Sequence, residues 1–202
     1  MSSSKRLSLK GTEHATLSGA RAIGPTDPHQ LIEVSVILKH RQPLAASPNE
    51  GKVLGHEDFA KMYGADSAHI DKIRQFAQQA NLQMLERGDE VMRRSVTLAG
   101  TAAAMEKAFS VELIEIEHPD GSFRSFNGAI LMPEECASFV EGVFGLDDRP
   151  VAKPHFRYRS DHRAFGVRAS NTSYTPSQVA ALYSFPKDAN GSGQTIGIIE
   201  LG

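Results

Sequence analysis

The sequence predicts an α+β fold: an antiparallel sheet in the ferredoxin-like order βαββαβ, with helices covering one face and leaving the other open. Apolar runs of strand length occur at 31–38, 82–85, 92–98 and 111–116. Between them lie two segments whose apolar residues recur at helical spacing. The two middle runs are separated by the polar turn Glu86-Arg-Gly-Asp-Glu90, which makes them a hairpin and completes the split βαβ order.

Each element has its own warrant. Leu31-Ile-Glu-Val-Ser-Val-Ile-Leu38 alternates as a half-buried strand does, and a short helix around His56–Met62 sits between Gly51 and Gly64. Asp66 is placed to cap a longer helix whose Ile70, Ile73, Phe76, Ala77 and Ala80 form one stripe. Thr101 caps a second helix carrying Ala102, Met105 and Phe109. Val111–Ile116 then returns as the fourth strand, and Pro119-Asp-Gly121 turns it into a hairpin. A last helix is expected from Pro133 to Phe144, burying Cys136, Phe139, Val140 and Val143 and stopped by Gly145. Residues 1–28 read as a disordered arm.

Periodicity is lost from Lys153 to Asn171, where the chain turns basic and aromatic. Pro154 disfavours helix at Lys153. Gly166-Val-Arg168-Ala-Ser-Asn171 has the small, polar composition in which proteases cut, so a processing bond is expected between Arg168 and Ala169 or a few residues further on. An ordinary interdomain linker fits the same composition. Thr175-Pro176 opens a helix with Val179, Leu182 and Tyr183 on one face, and Pro186 stops it. Thr195–Leu201 follows as an apolar run of the kind buried in a parallel sheet. Such a strand needs a neighbour, so it is expected to open a second domain that continues beyond Gly202. The organisation is then 1–28 arm, 29–152 first domain, 153–172 linker and 173–202 start of the second domain.

Three blocks, in order, resemble a known family. Gly145-Leu-Asp-Asp-Arg-Pro-Val-Ala-Lys-Pro-His-Phe-Arg157 is similar to the end of the prodomain of kumamolisin-type sedolisins. Ser173–Pro186 resembles the start of their mature enzyme, and Gly193–Gly202 its first core strand. His118-Pro-Asp-Gly-Ser-Phe-Arg-Ser125 is similar to a hairpin of the same prodomains. The resemblance implies a precursor of an acid-active serine-carboxyl endopeptidase. Its prodomain, here 29–152, acts as folding template and inhibitor and is removed in acid, and 173–202 begins a subtilisin-like α/β domain. The implied Ser-Glu-Asp triad lies beyond Gly202; Glu200 falls too early to belong to it and reads as a polar residue closing a strand. No peptidase activity is expected of these 202 residues alone. The calcium that family enzymes carry belongs to the same missing part, and an extracellular location is implied.

Composition narrows the alternatives. A formal net charge of −2 gives no electrostatic footprint for nucleic acid. The basic run in the linker reads either as a phosphate patch or as an extended strand crossing a carboxylate-rich cleft. Cys136 stands alone, which rules out an internal disulfide, and its place on an apolar stripe makes it a buried thiol. The eight histidines include no HExxH or HxH spacing: His56 lacks its second histidine, and His118 and His155 read as surface groups, so no metal site is expected. No apolar run approaches the ~20 residues that span a bilayer, and the N-terminus lacks the apolar core of an ordinary secretory signal.

An exposed apolar sheet face calls for a partner, and the enzyme's own catalytic domain is the one expected. The acidic residues near the exit, Asp147 and Asp148 beside Arg149 and Asp161 beside Arg163, are expected to pair with cations across that interface and to release it in acid. A stand-alone ferredoxin-like peptidase inhibitor or binding module from a truncated gene, and a small-molecule regulatory domain, stay open as alternatives.

Overall fold

A computed structural model of the chain describes residues 5–13, 18–44, 54–119, 121–150, 174–186, 192–193 and 197–198. The chain divides into two units, Met1–Arg149 and Pro150–Gly202.

The first unit is α+β. It runs β1 (Arg6–Ser8), β2 (Arg21–Pro25), β3 (Leu31–Leu38), α1 (His56–Tyr63), α2 (Ser67–Gln79), β4 (Gln83–Leu85) and α3 (Glu90–Arg93). It continues with β5 (Ser95–Thr101), α4 (Ala102–Phe109), β6 (Leu113–His118), β7 (Gly121–Phe126), β8 (Leu131–Pro133), α5 (Glu134–Ala137) and β9 (Val140–Phe144). Among the described residues the strands form three antiparallel sheets: β4-β5-β3-β9, β2-β6-β7 and the ribbon β1-β8.

The caps expected at both long helices are made. Asp66 accepts the Ala68 amide at the start of α2, and Thr101 accepts the Ala104 amide at the start of α4. Each satisfies a donor that the first helical turn leaves unpaired. Ile70, Ile73, Phe76 and Ala77 of α2 and Met105 and Phe109 of α4 join Ile32, Val34, Val36 and Leu38 of β3 and Leu98 of β5 in one core.

Four expectations are corrected. The helix foreseen over 133–144 is a single turn, α5, followed by strand β9. Cys136, Phe139, Val140 and Val143 are all buried as foreseen, but the first lies in α5, Phe139 in the turn after it, and the two valines in a strand paired with β3. Their spacing suits a helix, yet Gly142 disfavours one and β-branched Val140 and Val143 favour the strand once β3 offers a ladder. The run at 111–116 is a strand, displaced to Leu113–His118, and it pairs with β2 and β7 outside the four-stranded sheet. Met92 and Arg93 belong to the helical turn α3, and β5 begins only at Ser95.

The fourth correction is the arm. Residues 5–13 and 18–28 are built into the unit: β1 pairs with β8, β2 with β6, and Leu9 is 3% exposed. The Leu9 amide donates to the Ile130 carbonyl at 2.9 Å, and the Thr12 hydroxyl accepts the Ile130 amide at 3.0 Å. Arg6 reaches the Ala108 carbonyl near the end of α4.

In the second unit α6 (Pro176–Leu182) forms where expected. Thr175 and Gln178 make a reciprocal capping box, and Pro176 takes the first turn. Val179, Leu182 and Tyr183 are exposed. Of the strand expected at 195–201, only Gly197 and Ile198 are described, without strand pairing.

Candidate functional site

The register of the four-stranded sheet sorts its side chains into two faces. Opposite the helices, Leu31 stands beside Thr101. The next row is Glu33, Ala99 and Gln83; the next Phe144, Ser35, Thr97 and Leu85; the last Gly142, Ile37 and Ser95. This face is small and hydroxyl-bearing at its centre and apolar at its margins. Leu31 is 80% and Phe144 64% exposed. Phe144 lies over Gly142, where a Cβ would stand 3.1 Å from the ring. In these rows the described residues carry one charge, Glu33. At the Leu31 end, Leu31, Glu33, Gln83, Thr101 and their neighbours line a recess of about 680 Å³.

After β9 the chain turns sharply. Gly145 takes φ +105°, and a Cβ there would stand 2.5 Å from the Glu33 carbonyl oxygen, so both the conformation and the close approach require glycine. Residues 146–149 then run beside β7, the outer strand of the three-stranded sheet. Arg124 of β7 is buried, donates to the Leu146 carbonyl at 3.0 Å and to the Gly145 carbonyl at 2.9 Å, and forms an ion pair with Asp148 across 3.5 Å. Asp147 accepts from the Ser125 hydroxyl at 2.7 Å and from the Arg149 amide at 2.9 Å. It also pairs with the Arg149 guanidinium at 2.7 Å.

Burial by itself would raise the Asp147 pKa. The hydrogen bonds from Arg149, Ser125 and the Arg149 amide, together with the Arg149 charge, outweigh it and hold the carboxyl below its ordinary value. The pairing foreseen across an interface is thus made inside the unit for Asp147 and Asp148, because Arg149, Arg124 and Ser125 are already within reach. Asp161 and Arg163 lie outside the described residues, as do Arg168, Ala169, His155 and Glu200.

The remaining candidates are structural. Burial pushes the Cys136 thiol up to about 11, with the Glu135 charge adding to the rise. His118 packs its ring against Phe123 with centroids 6.4 Å apart, and His56 opens α1 on the surface. Among the described residues no group of His, Cys, Asp or Glu is arranged to hold a metal ion, and no helix is long and apolar enough to cross a membrane.

The family model for the pro-kumamolisin activation domain matches residues 18–149, which hold the open sheet face and the chain exit. The chain belongs to that family. Over 214 aligned residues it is 39% identical to kumamolisin of Bacillus sp. (strain MN-32), covering 98% of this chain and 38% of that protein. The activation domain match ends at Arg149, the residue whose guanidinium closes on Asp147. The carboxylates of the exit are legible in the sequence, but buried Arg124 is not: its partners lie 21 and 22 residues along the chain and leave no local trace.

Proposed function

We propose that this chain supplies the prodomain, and the first residues of the catalytic domain, of a longer acid-active serine-carboxyl endopeptidase precursor that is exported from the cell. The activation domain serves as intramolecular folding template and inhibitor, and cleavage between Arg168 and Ala169 or close by removes it. Its partner is the catalytic domain of the same precursor, of which 173–202 is the subtilisin-like beginning; the triad and the calcium belong to the part beyond Gly202.

The four-stranded sheet is read as ferredoxin-like. Strand 31–38, helix 67–79, strands 83–85 and 95–101, helix 102–109 and strand 140–144 follow the βαββαβ order, and the spatial order β4-β5-β3-β9 agrees with it. The fourth strand is β9 rather than the run at 111–116.

The observation that carries the reading is the face opposite α2 and α4. Its apolar margins, small centre and lone carboxylate suit a surface that must be covered, and a preformed surface that binds the folded enzyme better than the unfolded one favours folding by mass action. Parallel sheets with non-local contacts fold slowly and gain most from such help.

The test is refolding of the separately prepared catalytic part with and without the 202-residue chain, followed by peptidase assay in acid. The chain is expected to raise the recovered activity and to inhibit the folded enzyme near neutrality. No gain in recovery and no inhibition would overturn the reading. N-terminal sequencing of the mature enzyme checks the boundary: a start upstream of Pro154 or downstream of Tyr174 would contradict it.

A further inference from the structure

The outer edge of β7 is held by charge as well as by backbone. The Arg124 amide donates to Asp148 Oδ1 at 2.6 Å, and the Asp148 amide returns a bond to the Arg124 carbonyl at 3.1 Å. One residue earlier, Asp147 Oδ1 takes the Arg149 amide at 2.9 Å and its Nε at 3.0 Å, while Oδ2 takes Arg149 Nη2 and the Ser125 hydroxyl, each at 2.7 Å. Two successive carboxylates therefore tie the departing chain to successive residues of one strand. Leu146 just before them is 1% exposed and sits in the apolar core, an anchor that involves no titrating group.

We propose that Asp147 is the catch of an acid-releasable buckle: ionised, it binds residues 147–149 to the edge of β7 beside the Asp148 contacts, and its protonation frees this stretch while the rest of the unit stays folded. The chemistry is that of an acceptor lost. A carboxylate can accept from Ser125, the Arg149 amide and the guanidinium together. A carboxylic acid turns one oxygen into a donor facing those donors, and loses its charge-assisted bonds.

Among the described residues, the charged and titratable groups around Asp147 include Arg149 on its own segment, Arg124 on β7, and Asp148. His118, at the end of β6, reaches the same ring, Phe123, over which Arg149 lies at 5.9 Å. The sign follows from the depressed folded-state value of Asp147. Its contribution is fully present above the unfolded pKa of about 3.9 and is lost as pH falls through the lower folded value. Release is a property of the chain alone and holds with or without an enzyme docked on the sheet.

The experiment is amide hydrogen exchange by NMR on the 202-residue chain between pH 6 and pH 2.5, corrected for intrinsic rates. Protection of the Arg124, Asp148 and Arg149 amides is expected to fall about tenfold or more across this range, while the central-strand amides of Val36 and Leu98 keep theirs. In Asp147→Asn, protection at the three exit amides is expected to be low and nearly flat with pH. Ser125→Ala, which removes one donor and keeps the charge, is expected to move the midpoint of release to higher pH. Exit protection that does not change with pH, that changes equally in Asp147→Asn, or that falls only together with the central strands would overturn the buckle. A Ser125→Ala midpoint at the wild-type pH would do the same.

Discussion

Along the eight residues of β3, Ile32, Val34, Val36 and Leu38 face α2 and α4 and are at most 3% exposed, while Leu31, Glu33, Ser35 and Ile37 point the other way, with Leu31 80% exposed. One strand thus serves two surfaces. The covered face holds the unit together, since burying each of its aliphatic side chains contributes about 1.5–3 kcal/mol. The other face contributes little to folding and leaves apolar margins around a small centre, which suits it to recognition. Stability and the proposed docking are therefore separable by single substitutions on neighbouring residues.

The largest effect is expected on the covered face. Leu98→Ala removes a fully buried side chain from the middle of β5 and should destabilise the unit by about 2–5 kcal/mol in urea unfolding. A loss below 1 kcal/mol would show that this face is not the core. The chemistry of the same core offers a second check. With its thiol pushed up to about 11, Cys136 should react with iodoacetamide roughly 100-fold more slowly in the folded chain than in urea at pH 8. Labelling at similar rates in both states would place Cys136 on a surface.

Where the two faces meet the exit, the constraint is on the backbone. Gly145→Ala puts a Cβ against the Glu33 carbonyl in a left-handed conformation and should cost about 1–3 kcal/mol by the same urea assay. An unchanged midpoint would mean that the turn after β9 differs from the one described.

Regions whose partners are near in sequence were legible. The alternation of 31–38, the stripe of 67–79 and the caps Asp66 and Thr101 are local facts, and each element formed. Regions decided by distant partners were not. Cys136, Phe139, Val140 and Val143 fit helical spacing, and only pairing with β3, about a hundred residues earlier, makes β9 a strand. Arg6–Ser8 looks like part of a polar tail until β8 supplies its ladder at 131–133. The exit carboxylates were visible, but Ser125 and Arg124, which occupy them, lie 22 and 24 residues back. Nothing local distinguishes a pair made within the unit from one made across an interface.

The smallest effect on folding and the largest on docking are expected together. Replacing Leu31 and Phe144 by serine should change the stability of the unit by no more than about 0.5 kcal/mol, because both side chains are mostly exposed. The decisive measurement is the affinity of the 202-residue chain, and of this double variant, for the separately prepared and active-site-blocked catalytic domain at neutral pH. Tight binding by the unaltered chain, weakened tenfold or more in the double variant at an unchanged urea midpoint, is the predicted result. Equal affinity in the two proteins would contradict the assignment of the open sheet face as the docking surface.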